Sequence, residues 1–132
     1  MNQQDLYNLL NQFIPKQRIL AKLADRYAYS YDASFGEYLP DIIVQPKTKE
    51  EVAHVIRLAN EHLFPVYPRG SATSLSGGSL PVHGGVVLDM SKFTHKLIID
   101  EENLLAIVSP SVITSEIHEQ AEKVGLKALY PL

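Results

Sequence analysis

The residues whose types and spacing suit chemistry lie together in Pro68-Arg69-Gly70-Ser71-Ala72-Thr73-Ser74-Leu75-Ser76-Gly77-Gly78-Ser79-Leu80-Pro81, and the chemistry they suit is the binding of oxyanions. Between the terminal prolines only Leu75 and Leu80 are bulky and apolar, so the segment can build little core. Glycine and other small residues let a backbone approach a ligand closely and leave successive N–H groups exposed in a concave nest that attracts phosphate. The hydroxyls of Ser71, Thr73, Ser74 and Ser76 add donors without adding charge. Arg69, at the mouth, is placed to neutralise one phosphate. The bland alternative is a flexible surface connection with Arg69 lying along Tyr67. An arginine between a strand-like run and a glycine, with a strand resuming at Val86, favours the ligand reading.

Neither of two better-known phosphate loops fits. A P-loop requires Gly-Lys-Ser/Thr after its variable residues, because the lysine reaches the terminal phosphates, and Gly77 is followed by another glycine. A dinucleotide loop of the Gly-x-Gly-x-x-Gly kind runs straight into a helix, whereas Ala72 stands at the second glycine position and this loop passes Pro81 to reach a strand. The histidines His54, His62, His83, His95 and His118 show no metal-binding spacing, so no metal is expected. His83 follows the loop and is either near the ligand or a solvated turn residue. Asp100, Glu101 and Glu102 read as a solvated turn rather than acid/base groups. The aromatics Tyr27, Tyr29, Tyr31, Phe35 and Tyr38 are either a stacking platform or packing that ties the first helices to a sheet.

These groups need elements to hold them. Leu6, Leu9, Leu10 and Phe13 recur at helical spacing, and Ile19, Leu20 and Leu23 suggest a second helix that Pro15 would open. Residues 27–40 read as an ordered loop. Asp41 to Val44 is a short β-branched run closed by Pro46, a buried strand. Thr48 and Glu51 form a capping-box signature, and Val52, Val55, Ile56 and Ala59 make the apolar stripe of the helix it opens. Phe64 to Pro68 is a proline-marked strand at a sheet edge. Gly85–Met90, Lys96–Asp100 and Leu104–Val108 are further strands, the last two a hairpin, and a final helix is capped at Thr114 or Ser115, carries Ile117, Ala121 and Val124, and stops at Gly125. Helices covering a mixed sheet are the expected layers.

The chain has 132 residues, 45% hydrophobic, enough for one compact unit with one core. Its net charge of −3, gathered into no block, argues against a nucleic-acid partner. The absence of cysteine excludes disulfides and thiol catalysis and fits a reducing compartment. No run approaches a transmembrane span and the start lacks a signal peptide, so a soluble, cytoplasmic protein is expected. The apolar end, Ala128 to Leu132, suggests a chain that stops mid-domain and self-associates through its exposed surface.

PRGSATSLSGGSLPVHGGVVLDMSK, at 68–92, resembles the diphosphate loop and following strand of the FAD-linked oxidases of the vanillyl-alcohol oxidase and p-cresol methylhydroxylase class. Within that class it is most similar to the glycolate oxidase FAD subunit and D-lactate dehydrogenase group. The likeness extends through YDASFGEYLPDIIVQPKTKEEVAHVIRLANEH before the loop and LIIDEENLLAIVSPSVITSEIHEQAEKVGL after it, covering about residues 28–132. It implies an α+β fold, α/β-like, with helices packed on a small mixed sheet. Residues 1–40 would be an N-terminal helical and loop segment, and 41–132 the first part of a p-cresol methylhydroxylase-type FAD-binding domain, ending before its second half and the substrate domain.

By the same resemblance, Arg69, Gly70, Ser71, Ala72, Thr73 and Ser74 line the diphosphate, and Gly77, Gly78 and Ser79 bring the return strand close to it. Ala72 replaces the glycine or asparagine common there, which costs about 1 kcal/mol or more if the loop needs a positive φ. Ser111 likewise replaces a glycine usual after Pro110. Ser71 stands where members with covalently tethered flavin have histidine, so non-covalent FAD is implied. The implied reaction is hydride transfer from a 2-hydroxy acid to flavin, giving a 2-oxo acid. Alternatives within the fold are a D-2-hydroxyglutarate dehydrogenase or the reductase of a UDP-linked enolpyruvyl sugar. A non-enzymatic anion- or partner-binding domain is the alternative of another class. The electron acceptor stays open among oxygen, a quinone, a cytochrome and an iron–sulfur partner subunit. No catalytic residue is assigned to this chain, which alone is expected to be inactive and to bind FAD weakly or not at all.

Overall fold

In the structure, a computed structural model that describes residues 1–128, helix α1 (Gln3–Leu10) starts where the Asp5 amide donates to the Asn2 side chain at 2.8 Å. That cap satisfies one of the orphan N–H groups of a helix start, and Leu6 and Leu10 are then buried. The second helix expected from Ile19, Leu20 and Leu23 is corrected. One 3-10 turn, Lys16–Arg18, leads into strand β1 (Ile19–Leu20), and helix α2 (Leu23–Ala28) begins only after it. Ile19 lies opposite Val44 and Leu20 opposite Ile43 in an antiparallel pairing with strand β2 (Ile42–Val44), so a partner distant in sequence overrides local helical spacing.

Helix α3 (Lys49–His62) opens as expected, with the Glu51 amide donating to the Thr48 hydroxyl at 3.2 Å. The Glu51 carboxylate accepts from the Lys47 amide at 2.7 Å and grips Arg18 with two bonds of 2.6 and 2.7 Å. The Arg18 guanidinium, helped by the Lys47 amide, holds that carboxyl below the usual range against the opposing effect of burial. Val55 is fully buried, whereas Ile56, expected on the same stripe, is 42% exposed.

Strands β3 (Val66–Arg69) and β4 (Val86–Asp89) complete a sheet of order β1-β2-β4-β3, in which β4 runs parallel to both neighbours. Every residue of β4 is buried, as a strand between two parallel partners requires. Pro68 sits on the edge strand, where a missing ladder donor is tolerated. Leu6, Leu10, Ile14, Ile19, Ile42, Val44, Val55, Val86 and Leu88 form one core cluster, so residues on both sides of position 40 share it.

The expected single compact unit is also corrected, since the chain divides into Met1–Lys92 and Phe93–Leu132. In the second unit, strands β5 (Leu97–Asp100) and β6 (Leu105–Val108) form the expected hairpin, a separate two-stranded sheet, closed by an Asn103 amide that donates to Asp100 at 3.0 Å. Helix α4 (Thr114–Lys123) has Ile113, not Thr114 or Ser115, at its cap, where the Ile113 amide donates to the Glu116 carboxylate at 3.3 Å. Its end is a Schellman turn, with Leu126 N–H on the Ala121 carbonyl and Gly125 N–H on that of Glu122. The apolar run expected at 128–132 lies outside the described residues from Leu129 onward.

Candidate functional site

Leaving the sheet after Arg69, the chain runs through the Gly/Ser loop and turns back at Gly77, whose φ of 72° is left-handed and whose carbonyl accepts from the Leu80 amide at 3.1 Å. Leu80 and Pro81 are buried and anchor the return to β4. The loop encloses an open concavity of about 440 Å³ lined by Pro68, Gly70, Ser71, Ala72, Thr73, Ser74, Gly78 and Ser79. None of these side chains is charged.

Among the described residues, the amides of Ser71, Ala72, Thr73 and Ser74 donate to no protein acceptor, while the Ser76 amide is taken by the Ser74 hydroxyl at 3.2 Å. Ala72 has a left-handed φ of 57° in the middle of this run of amides, and a left-handed residue among successive unpartnered amides is one ingredient of an anion-binding nest. The condition under which Ala72 carries strain is therefore met. Ala72→Gly is expected to raise stability by about 1 kcal/mol, measured by chemical denaturation, because glycine removes the Cβ clash; the gain is offset in part by glycine's larger entropy when unfolded.

Arg69 differs from expectation. Its side chain is 9% exposed, donates to the Tyr31 carbonyl at 2.7 Å and more loosely to that of Tyr29 at 3.5 Å, and lies 5.2 Å from the Tyr29 ring centroid. A cation this buried requires such partners, and they hold it against the 27–38 loop; Arg69 is not among the residues lining the concavity. Gly77 shapes the turn without lining the concavity. There, a Cβ would stand 3.3 Å from the Ser34 hydroxyl.

Two carboxylates near the loop and its flanking strands escape sequence reasoning. Asp32 accepts from the Ser34 hydroxyl, from the Ser34 amide at 2.7 Å and from the Ser79 hydroxyl at 2.9 Å, and the Ser34 hydroxyl chiefly holds its carboxyl below the ordinary range. Asp89, at the end of β4, accepts from the Tyr29 hydroxyl at 2.5 Å, the Gln45 amide group at 2.8 Å and the Ser91 amide at 3.0 Å. Burial pushes Asp89 up, but these donors outweigh it and the carboxyl titrates below its usual value. Each has a local partner two residues on, Ser34 or Ser91, but the bonds that tie them to other elements, Asp32 to Ser79 and Asp89 to Tyr29 and Gln45, join residues far apart in the chain.

Tyr29 is the packed member of the aromatic loop; Tyr27, Tyr31, Phe35 and Tyr38 are exposed. Burial first, then the bond to Asp89, pushes its phenol from 10.0 up to about 12. A folded-state value above the unfolded one means that this contribution to stability is complete below pH 10.0 and is lost as pH rises toward 12. Alkaline spectrophotometric titration should therefore show one late-ionising phenol that Tyr29→Phe removes; an unchanged late phase would contradict the assignment.

His83 is exposed, its amide donating to the Tyr67 hydroxyl at 3.1 Å, and His95 pairs with Glu116 at 2.8 Å. Among the described residues no group of His, Cys, Asp and Glu is arranged to hold a metal, and no helix is long and apolar enough to cross a membrane.

The profile of the FAD binding domain family matches residues 40–132. The glycolate oxidase subunit GlcD of Bacillus subtilis (strain 168) is 42% identical over 110 residues, covering 82% of this chain and 23% of that protein. A D-lactate dehydrogenase of Anaerostipes hadrus is 30% identical over 128 residues, covering 96% of this chain and 26% of that protein. Among solved structures, p-cresol methylhydroxylase with substrate bound matches with a TM-score of 0.72 at 23% identity, over 93% of this chain and 25% of that one. The structural likeness establishes the fold, helices on a small mixed sheet. The chain spans about a quarter of the length of each of these relatives.

Proposed function

Because the chain belongs to the FAD binding domain family, we propose that the concavity formed by the 68–79 loop seats the diphosphate of FAD in a flavin-dependent oxidoreductase of 2-hydroxy acids, of the glycolate or D-lactate type. The observation that carries this reading is the set of unpartnered amides from Ser71 to Ser74 around a space with no charged lining. The residues fit the group: neutral donors suit a diester-like diphosphate, and the small side chains leave room for close approach. The hydroxyls of Ser71 and Thr73 extend the donor set. Gly70 and Gly78 border the concavity with no side chain to obstruct it. Arg69 ties the end of β3, where the loop departs, to the Tyr31 carbonyl. Ser71 carries no nucleophilic imidazole, which supports non-covalent retention.

When bound, FAD supplies a two-electron acceptor able to take a hydride from the hydroxyl-bearing carbon of a 2-hydroxy acid, leaving a 2-oxo acid. This chain's residues bind and orient the dinucleotide, and the groups that hold the substrate belong elsewhere in the protein. The Bacillus relative is a subunit of an oxidase, so an electron-accepting partner subunit is part of the same proposal.

The test is anaerobic mixing of the intact protein with glycolate, D-lactate or D-2-hydroxyglutarate. Bleaching of the visible flavin absorbance by glycolate or D-lactate is the expected result. Bleaching by D-2-hydroxyglutarate alone would move the substrate assignment, and a protein that purifies colourless and takes up no FAD would end it.

A further inference from the structure

Resting on the reading that the concavity holds the FAD diphosphate, we infer that Asp32 is a positioning residue for it, closing a clasp between the 27–38 loop and both limbs of the Gly/Ser loop. On the outgoing limb, the Ala72 carbonyl accepts from the Ala33 amide at 3.1 Å. On the return limb, the buried Ser79 hydroxyl donates to Asp32 Oδ2 at 2.9 Å. Asp32 Oδ1 is engaged by both the amide and the hydroxyl of Ser34, which fixes the carboxylate plane. The Tyr31 carbonyl, one residue earlier, is held by Arg69 at 2.7 Å. Residues 31–33 are thus bonded to the end of β3, to the outgoing limb and to the return limb.

The clasp supplies what the loop lacks. Its four donor amides have no internal acceptors, and Ala72 occupies an uphill conformation that an untethered loop would leave. Untethered amides would have to be ordered when ligand binds, which lowers affinity. Asp32 is not among the residues lining the concavity, so it acts through Ser79, while the neighbouring Ala33 amide holds Ala72. Its negative charge beside an anion site is repulsive if anything, and Arg69 offsets it. Attraction to the ligand is therefore not its role.

The experiment is FAD titration of the flavin-stripped intact protein, with thermal melts in the absence of flavin. Asp32→Ala and Ser79→Ala should each weaken FAD about tenfold, the worth of one hydrogen bond to a charged group. The double variant should be no weaker than the poorer single one, within about twofold, since both remove the same bond. Asp32→Asn, whose oxygen can keep both Ser34 donors while its NH2 donates to the Ser79 hydroxyl, should recover binding to within about threefold of the parent. If Asp32→Ala lowers the flavin-free melting temperature, Ser79→Ala carries the test. Parental FAD affinity in both single variants, or fully additive losses, overturns the inference. Gly70→Leu separates the two levels: if it abolishes binding while the Asp32 and Ser79 variants do not, only the clasp fails, whereas if it too binds normally, the diphosphate assignment fails as well.

Discussion

Gly70→Leu and Gly78→Leu are each expected to weaken FAD binding by the intact protein at least about 100-fold while moving its flavin-free Tm by no more than about 2 °C. The two effects separate because of where these glycines stand. A Cβ at either position meets nothing within 4 Å, and neither has a left-handed φ. The fold has room for a side chain at both. Both residues line the concavity, so an isobutyl group takes space that the diphosphate would fill. Two amide–phosphate bonds lost at about 1.5 kcal/mol or more each already amount to a hundredfold. Gly77→Leu is a poorer probe, because φ 72° makes any side chain there strained and stability would fall with affinity. Fluorescence titration beside a thermal melt decides the matter. Unchanged affinity in both variants would place the phosphates elsewhere.

Features that depend on neighbours in sequence were legible from the residues. The Gly/Ser loop declares itself because the absence of bulky side chains is a local property, and the same holds for the Thr48 cap, the β-branched run of β2 and the proline-marked edge of β3. Features decided by distant partners were not. Ile19 and Leu20 have helical spacing, yet Val44 and Ile43 recruit them into a strand. Arg69 looks like a phosphate ligand when read beside Gly70, but the carbonyl that takes its guanidinium is 38 residues away. Tyr29 and Asp89 are separated by 60 residues, so their bond leaves no trace in any short window. Ile113 caps α4 because the Glu116 carboxylate, not a cap side chain, satisfies the free amide. For Ala72 the sequence posed the question of strain, and only backbone geometry answered it.

A single methyl group at position 85 is expected to destabilise the first unit more than any change in the loop, by about 3 kcal/mol. Gly85 has φ 79°, and a Cβ built there stands 2.4 Å from the Pro65 carbonyl oxygen and 2.6 Å from its Cγ. Left-handed backbone costs an alanine about 1–2 kcal/mol, and overpacking adds about 1–3 kcal/mol. Retreat is blocked on every side. The Gly85 amide donates to Asp41 Oδ2 at 2.7 Å, and its carbonyl accepts from the amides of Asp41 at 2.8 Å and Ile42 at 3.2 Å. The Pro65 carbonyl it would strike accepts from the Val86 amide at 2.9 Å, at the entry to β4. Shifting either strand breaks bonds at the start of the parallel pairings that support the Gly/Ser loop. Urea denaturation of Gly85→Ala should show the loss, and a change below about 1 kcal/mol would mean that the backbone relaxes without strain. Unlike Gly70→Leu, this variant leaves the residues lining the concavity in place, so on the proposed reading excess FAD should raise its melting temperature by mass action, as in the parent. A variant that regains stability with flavin and one that ignores it distinguish damage to the scaffold from damage to the site.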